Sequence, residues 1–361
     1  VSELALSDEL EQLRQSAARF AADELAPAAR RAESEGWPAS VHTVLESFAL
    51  RGLDLPESLG GAEGGCLAKS VLLETLASGD AGGLPAADAS GPCAGALLAC
   101  PDKDLAASIA SVCLAGEAQA TLVAIDAEAP ASARVEWAPA RPPLRWAWLS
   151  EGDVLRLVAP SASPEPIRAL AFQASGGVSV ALAAAARLGE WKLAPGAGVA
   201  LRGRARLWSA AVAVGVAQAA FDATVAYTTD RIVFGKPVAH HQGNAFDLAV
   251  TVTHLHGARL LLRFAAASFD RGEPEAGYWA TQAWIGCMDA AASVTDLGIQ
   301  LLGGHGFLVD HIAEKRFREV RMLALACGAR DAAEADLAAR ALDAPHPIFG
   351  APGTALVETA R

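Results

Sequence analysis

Leu10, Leu13, Ala17, Phe20 and Leu25 recur at three- to five-residue intervals, a spacing that lays one apolar stripe along a helix. Ser7, followed by Asp8 and Glu9, supplies an N-cap and an acidic first turn. Pro27 and Gly36-Trp37-Pro38 punctuate the pattern, 52–57 with Gly60-Gly61 reads as a loop, and a further helix is expected over 69–78. Residues 7–115 therefore read as helical. From 116 the pattern changes. The segments 121–125, 154–158, 169–172 and 178–182 are short apolar or β-branched runs. Pro139, Pro142-Pro143, Pro160, Pro164, Gly176-Gly177 and Pro195-Gly196 separate them, which predicts a small β-domain over 116–203. Helical spacing returns in 207–229, 242–271, 278–302 and a segment after Asp331. These are long enough for a four-helix bundle over 204–343. Residues 344–361, with Pro345, Pro347 and Pro352, read as an extended tail.

Composition agrees with this order. The chain has 361 residues, 52% apolar and 19% charged, enough for two or three domains with a large core. Alanine is abundant and aromatics are sparse, which favours helix. The formal net charge of −12 argues against nucleic acid as a partner, because a phosphate backbone demands a basic face. A phosphate-bearing ligand would need local arginines or helix N-termini. The six cysteines form no CxxC pair and have no histidine at metal-ligand spacing. They read as buried, reduced thiols of a cytoplasmic protein. The polar, acidic N-terminus is not expected to be a signal peptide. No membrane span is expected: the nearest case, 205–220, is interrupted by Arg206 and Ser209 and stops at Asp222, which suits a core helix.

Two segments carry candidate chemistry. Arg231 stands at a helix end, where its guanidinium could fork onto a pyrophosphate. Gly235 lets backbone approach a ligand, and Gln242 offers both donor and acceptors. Gln300 leads to Gly303-Gly304 and Gly306, which end a helix and leave bare backbone for a ribose or adenine. The plain alternative is a surface ion pair for Arg231 and simple helix stops for the glycines.

These residues resemble the motifs of the acyl-CoA dehydrogenase family. Arg231-Ile232-Val233-Phe234-Gly235-Lys236-Pro237, continuing to His241-Gln242, is similar to its Arg-x-x-Phe-Gly-x-x-x-x-x-x-Gln motif. Gln300-Leu301-Leu302-Gly303-Gly304-His305-Gly306-Phe307 is similar to its Gln-x-x-Gly-Gly-x-Gly-[Tyr/Phe] motif. The loop at 52–61, Glu74-Thr75-Leu76-Ala77 and Asp80-Ala81-Gly82 resemble its N-terminal helical pattern. The resemblance implies a mainly α fold with a small β-domain between N-terminal helices and a C-terminal four-helix bundle. It also implies FAD and an acyl-CoA substrate, with electron-transfer flavoprotein or oxygen as the electron acceptor. Arg231, Phe234, Gly235, His241, Gln242, Gln300, Gly303 and Gly304 would then reach FAD held mainly by a neighbouring subunit. The assembly would be a homodimer or homotetramer, or a heterotetramer with an active paralogue.

The chain also departs from the family. The family's reaction needs a carboxylate base. Cys327 stands at the usual glutamate position, nine residues after Arg318, and Ala205 at the alternative one. Ala329 replaces a customary threonine. The loop that normally cradles flavin is replaced by 124–130, and Trp146-Ala147-Trp148-Leu149-Ser150 reads as a remnant of the flavin-facing strand. Asp222, Asp230 and Asp331 are candidates for a displaced base. His240-His241, His254 and His256 are not paired for a metal, and His305 would line the nucleotide edge or face solvent. Arg202, Arg204 and Arg206 read as a basic run before a helix, a solvated face or a contact for the CoA phosphate. Three readings follow: a base-less subunit of a heteromeric acyl-CoA dehydrogenase, a self-sufficient enzyme with a displaced base, and a flavin-free acyl-binding or scaffold protein.

Overall fold

The structure, a computed structural model, describes residues 5–125, 134–161, 163–182 and 185–343, with the side chains of Cys327, Ala341 and Asp343 outside the description. The tail expected over 344–361 and most of the 124–130 loop lie outside the described residues.

The N-terminal region is helical: α1 (Asp8–Phe20), α2 (Ala26–Glu35), α3 (Ala39–Ser47), α4 (Gly65–Gly79), α5 (Leu84–Ala87), α6 (Ala94–Ala99) and α7 (Lys103–Leu114). Ser7 caps α1, its Oγ accepting from the Leu10 amide at 3.3 Å. The middle region holds β1 (Gln119–Ala124), β2 (Arg134–Ala138), β3 (Leu144–Glu151), β4 (Val154–Ala159), β5 (Glu165–Pro166), β6 (Val178–Ala181) and β7 (Ala186–Lys192). These make a four-stranded sheet of order β1-β3-β4-β7 and a three-stranded sheet of order β2-β6-β5. β1 runs parallel to β3, with Ala120 opposite Trp146 and Ala124 opposite Ser150.

The expected strand at 169–172 does not form. Ala171 and Phe172 are buried in the helical core, and Phe172 adopts φ 54° on entering the turn Gln173–Ser175. Its apolar run plugs a helical layer instead of pairing in a sheet. The strand expected at 146–150 forms as part of β3, whereas β2 and β7 escape sequence reading because charged residues such as Arg134, Glu136, Arg187 and Glu190 break up their apolar pattern.

The C-terminal region contains α8 (Ala197–Asp230), α9 (Gln242–Asp270), α10 (Ala276–Leu302), α11 (Ile312–Leu323) and α12 (Ala329–Asp343). α8 is the hub, packing on α4, α6, α9, α10 and α11. At its crossing with α4 a Cβ on Gly215 would come within 2.1 Å of the Glu74 carbonyl oxygen, so only glycine permits the approach. By length and composition α8 and α10 could each cross a membrane. Here both are central to the helical core, contributing Val212, Val214, Ala283 and Trp284. α11 goes unseen in the sequence because Glu314, Lys315, Arg316, Arg318, Glu319 and Arg321 crowd its short span.

The basic run needs correcting. α8 begins at Ala197, so Arg202, Arg204 and Arg206 lie inside the helix and not before it. Arg202 and Arg206 are buried and share Asp336 of α12, each at 2.6 Å. Arg206 also donates to Thr281 Oγ1 at 2.8 Å. Arg204 lies 3.8 Å from Asp54 and its guanidinium stacks on Phe269. These guanidiniums are neither a solvated face nor free for a CoA phosphate. Their charge is spent tying α12 and the N-terminal loop to α8.

A second buried cluster joins the N-terminal layer to α11. Asp80, at the C-cap of α4, accepts from Trp37 Nε1 at 2.6 Å and from Lys315 Nζ at 2.5 Å. Lys315 also pairs with Glu319. Burial pushes the Glu319 carboxyl up to about 7, with Lys315 opposing the rise and Asp80 adding to it.

Two outcomes are expected. Asp336→Ala leaves two buried guanidiniums unpaired and should cost about 3–5 kcal/mol in denaturant unfolding. Arg330→Ala, which removes exposed pairs to Asp289 and Glu334, should leave the unfolding midpoint essentially unchanged, because solvent screens such pairs. For Glu319 the folded state holds a proton that the unfolded chain releases near the ordinary glutamate value of 4.5. Its contribution to stability is therefore full below about 4.5 and declines as pH rises towards about 7. Glu319→Gln should abolish that decline, so the stability of the variant relative to the native chain rises across this window in urea titrations.

Candidate functional site

The first candidate surface is one end of the bundle. Arg231 is the C-cap of α8, and its amide donates to the Tyr227 carbonyl. A tight hairpin follows, with Ile232 opposite Pro237 and Val233 opposite Lys236. Its turn residues Phe234 and Gly235 have φ 50° and 78°, the left-handed pair such two-residue turns demand. Glycine meets this freely, whereas Phe234 does so with its ring 94% exposed. His241 anchors the hairpin, its Nε2 lying 3.0 Å from the Val233 carbonyl oxygen, and Gln242 opens α9. The second motif arrives beside it. α10 ends at Leu302, Gly303 turns with φ 59°, and His305 Nδ1 lies 3.3 Å from Tyr227 Oη of α8.

The fold thus brings together two motifs that are about sixty residues apart in sequence. Arg231, Phe234, Gly235, Gln242, Gln300, Gly303 and Gly304 are all exposed, and His241 is half-buried. A Cβ on Gly235, Gly303 or Gly304 would meet nothing of this chain within 4 Å. Among the described residues Arg231 has no carboxylate partner, so it is not a surface ion pair. A free guanidinium, two amide side chains and bare backbone on one surface suit the phosphates and ribose of a dinucleotide.

The second candidate is a cavity of about 370 Å³ between the α5–α6 loop, β1, β2, α8 and the α11–α12 junction. Its wall is largely apolar, with Val123, Trp137, Phe172 and Met322 among the lining residues. Ala205 borders it from α8, and Ala326 and Gly328 border it from the turn that holds Cys327. Both expected base positions therefore flank one space, although the Cys327 side chain itself is outside the description. Asp222, Asp230 and Asp331 are exposed and do not border it.

Two other carboxylates do border it: Glu136 and Asp88. The Glu136 side chain is 84% exposed. Asp88 is buried, and its Oδ2 accepts from Lys69 Nζ at 2.7 Å and Trp208 Nε1 at 2.8 Å. Burial raises its carboxyl above the usual range, while Lys69 and Trp208 pull it down. Sequence reading missed Asp88, yet a signal existed: it is the sole charged residue between Gly82 and Cys100.

The strand expected to face flavin is β3. Trp148 is wholly buried and its ring lies 6.2 Å from that of Trp191. Ser150 is buried, and its Oγ accepts from Arg202 Nη1 at 2.8 Å. The hydroxyl that would serve a flavin is thus engaged by an arginine already paired to Asp336. The residues at the bundle end fit a dinucleotide, and Ser150 and Trp148 do not.

Comparison with known proteins accords with this architecture. Residues 7–116 match the family model for the acyl-CoA dehydrogenase N-terminal domain, and residues 200–342 match that for the C-terminal domain. Cyclohex-1-ene-1-carbonyl-CoA dehydrogenase of Geobacter metallireducens is 37% identical over 123 residues, covering 34% of this chain and 32% of that protein. The match thus spans about a third of the relative's length. Butyryl-CoA dehydrogenase of Megasphaera elsdenii superposes with a TM-score of 0.77 at 17% identity, over 94% of this chain and 99% of that one. A glutaryl-CoA dehydrogenase of Mycobacterium smegmatis, solved in complex with FADH2, superposes with a TM-score of 0.74 at 18% identity, over 95% and 96% of the two chains. With both terminal domains matched and the three-part fold shared, the chain belongs to the acyl-CoA dehydrogenase family.

Proposed function

We propose that this chain is the base-less subunit of a heteromeric acyl-CoA dehydrogenase, completing an FAD site that an active paralogue holds. The observation that carries this reading is an asymmetry. The residues suited to a neighbour's dinucleotide are exposed and unpaired at the bundle end, whereas β3 has turned its Trp148 and Ser150 to internal packing. The absence of a carboxylate at Ala205 and at Cys327 points the same way. FAD, when bound, accepts the hydride from the β-carbon of an acyl-CoA while a carboxylate takes the α-proton.

In this reading the chain's own residues bind and orient. Arg231 forks onto the pyrophosphate, Gln242 and Gln300 hold polar edges, and the Gly303-Gly304 backbone lies against the nucleotide. The substrate class is an acyl-CoA, electrons leave to an electron-transfer flavoprotein, and the complex is cytoplasmic.

The test is a flavin spectrum of the chain expressed alone and with an unlike paralogue that retains the glutamate. The chain alone should be colourless, and the co-purified complex yellow and bleached by its acyl-CoA. Arg231→Ala should weaken flavin retention in the complex roughly tenfold to a hundredfold, the worth of a charged hydrogen bond. It should leave the unfolding midpoint of the isolated chain unchanged. A yellow chain that is reduced by acyl-CoA with no partner present would refute the proposal.

A further inference from the structure

The bundle-end surface takes up only the start of α9, where Gln242 stands. Further along, Phe246, Val250, Thr253, Gly257, Leu260 and Phe264 recur at alternating intervals of four and three residues, the spacing of a seam between paired helices. All six are exposed, Phe246 at 61%, Val250 at 54%, Leu260 at 43% and Phe264 at 36%. Leu255, on the opposite side of the helix, is wholly buried, so the seam points away from the core. Those four large side chains expose on the order of 300 Å². With Ala249, His254 and His256 exposed beside them, the face approaches the roughly 800 Å² that a specific interface takes from each partner.

The seam is symmetric about Leu255. Its members stand nine, five and two residues before that position and two, five and nine residues after it. Laid end for end against its own copy, the helix sets Phe246 against Phe264, Val250 against Leu260 and Thr253 against Gly257. A surface that matches its own reversed copy is what a two-fold interface requires. Gly257 adds a second sign. Glycine weakens a helix interior, and a Cβ at this position would meet nothing of this chain within 4 Å. The chain's own packing makes no use of that bareness, whereas a second helix crossing at the middle of the seam does. Charge fixes the direction. A parallel pairing would set Asp247 and Arg263, which flank the face, each against its own copy. The antiparallel pairing keeps each of them about 24 Å from its copy along the helix axis.

We infer that the outward face of α9 pairs with α9 of a second copy of this chain, antiparallel about a two-fold axis opposite Leu255. Gly257 lies 15 residues beyond Gln242, about 22 Å along the helix. Two copies joined here therefore each keep a bundle end open for an unlike partner. The pairing itself needs neither flavin nor that partner, so it stands or falls separately from the subunit role.

The test is sedimentation velocity on the full chain alone. The native chain should show a monomer–dimer equilibrium with a dissociation constant in the micromolar range or tighter. Val250→Asp and Leu260→Lys, each buried in the seam only on pairing, should each raise that constant roughly tenfold to a hundredfold. An equal mixture of the two variants should dimerise again, because antiparallel pairing opposes the new Asp to the new Lys and leaves the other layer native. Gly257→Leu should also dissociate the dimer. Its unfolding midpoint, read at a dilution where the native chain is monomeric, should not fall, because leucine favours helix and meets nothing there. A native chain that stays monomeric at high micromolar concentration overturns the inference, as does a dimer that survives Val250→Asp or Gly257→Leu. Single variants that dissociate but do not recover on mixing overturn it too, since the face then meets a different surface. Should one charged variant fail to fold, the native equilibrium and Gly257→Leu still decide.

Discussion

The architecture depends on burying α8. The first half of this helix is enclosed on nearly every face, from Leu201 to Ala217 with Arg204 alone half-buried. A helix enclosed in this way can carry charge only where each charge meets a partner. Its three arginines are therefore placed against Asp336 and Asp54, and Trp208 and Ser209 find Asp88 and Trp284. Through those contacts α8 fixes α12, the N-terminal loop, the α5–α6 loop and α10. Arg202 reaches β3 as well through Ser150. The three regions of the chain are one body because one helix satisfies its polar groups in all of them.

That requirement also shapes the site. An arginine that bonds Ser150 and Asp336 removes from the sheet a hydroxyl that a flavin would need. The bundle end is under no such demand. Arg231 lies beyond the enclosed stretch, where water solvates it, and the hairpin at Phe234 and Gly235 and the turn at Gly303 can keep their geometry without internal partners. The division between a β3 closed upon itself and an exposed bundle end thus follows from where each residue falls relative to the buried core. The cavity is intermediate, being largely apolar, with Asp88 among its lining residues tied to Lys69.

The sequence by itself determined the order of helical, β and helical regions, because hydrophobic period and turn residues are local properties of the chain. It also determined the two glycine-bearing motifs, whose turns need φ values open to few residues, and the presence of alanine at 205 and cysteine at 327, which is a matter of residue identity. It did not reveal α11 or strands β2 and β7, because there charge interrupts the apolar pattern while tertiary partners neutralise it. It misplaced 169–172 because a buried apolar run looks the same whether it enters a sheet or plugs a helical core.

Only the tertiary structure decided the fate of the charged residues. Arg202, Arg204 and Arg206 look solvated in a linear reading, since the carboxylates that pair with them lie 130 to 150 positions away (Arg206 to Asp336 and Arg204 to Asp54). Asp88 looks like an ordinary loop aspartate until Lys69 and Trp208 close on one of its oxygens and leave the other facing nothing. Charge pairing across long sequence separations leaves no period to read, because the energy of a buried ion depends on its distance in space to a partner and not on its place in the chain.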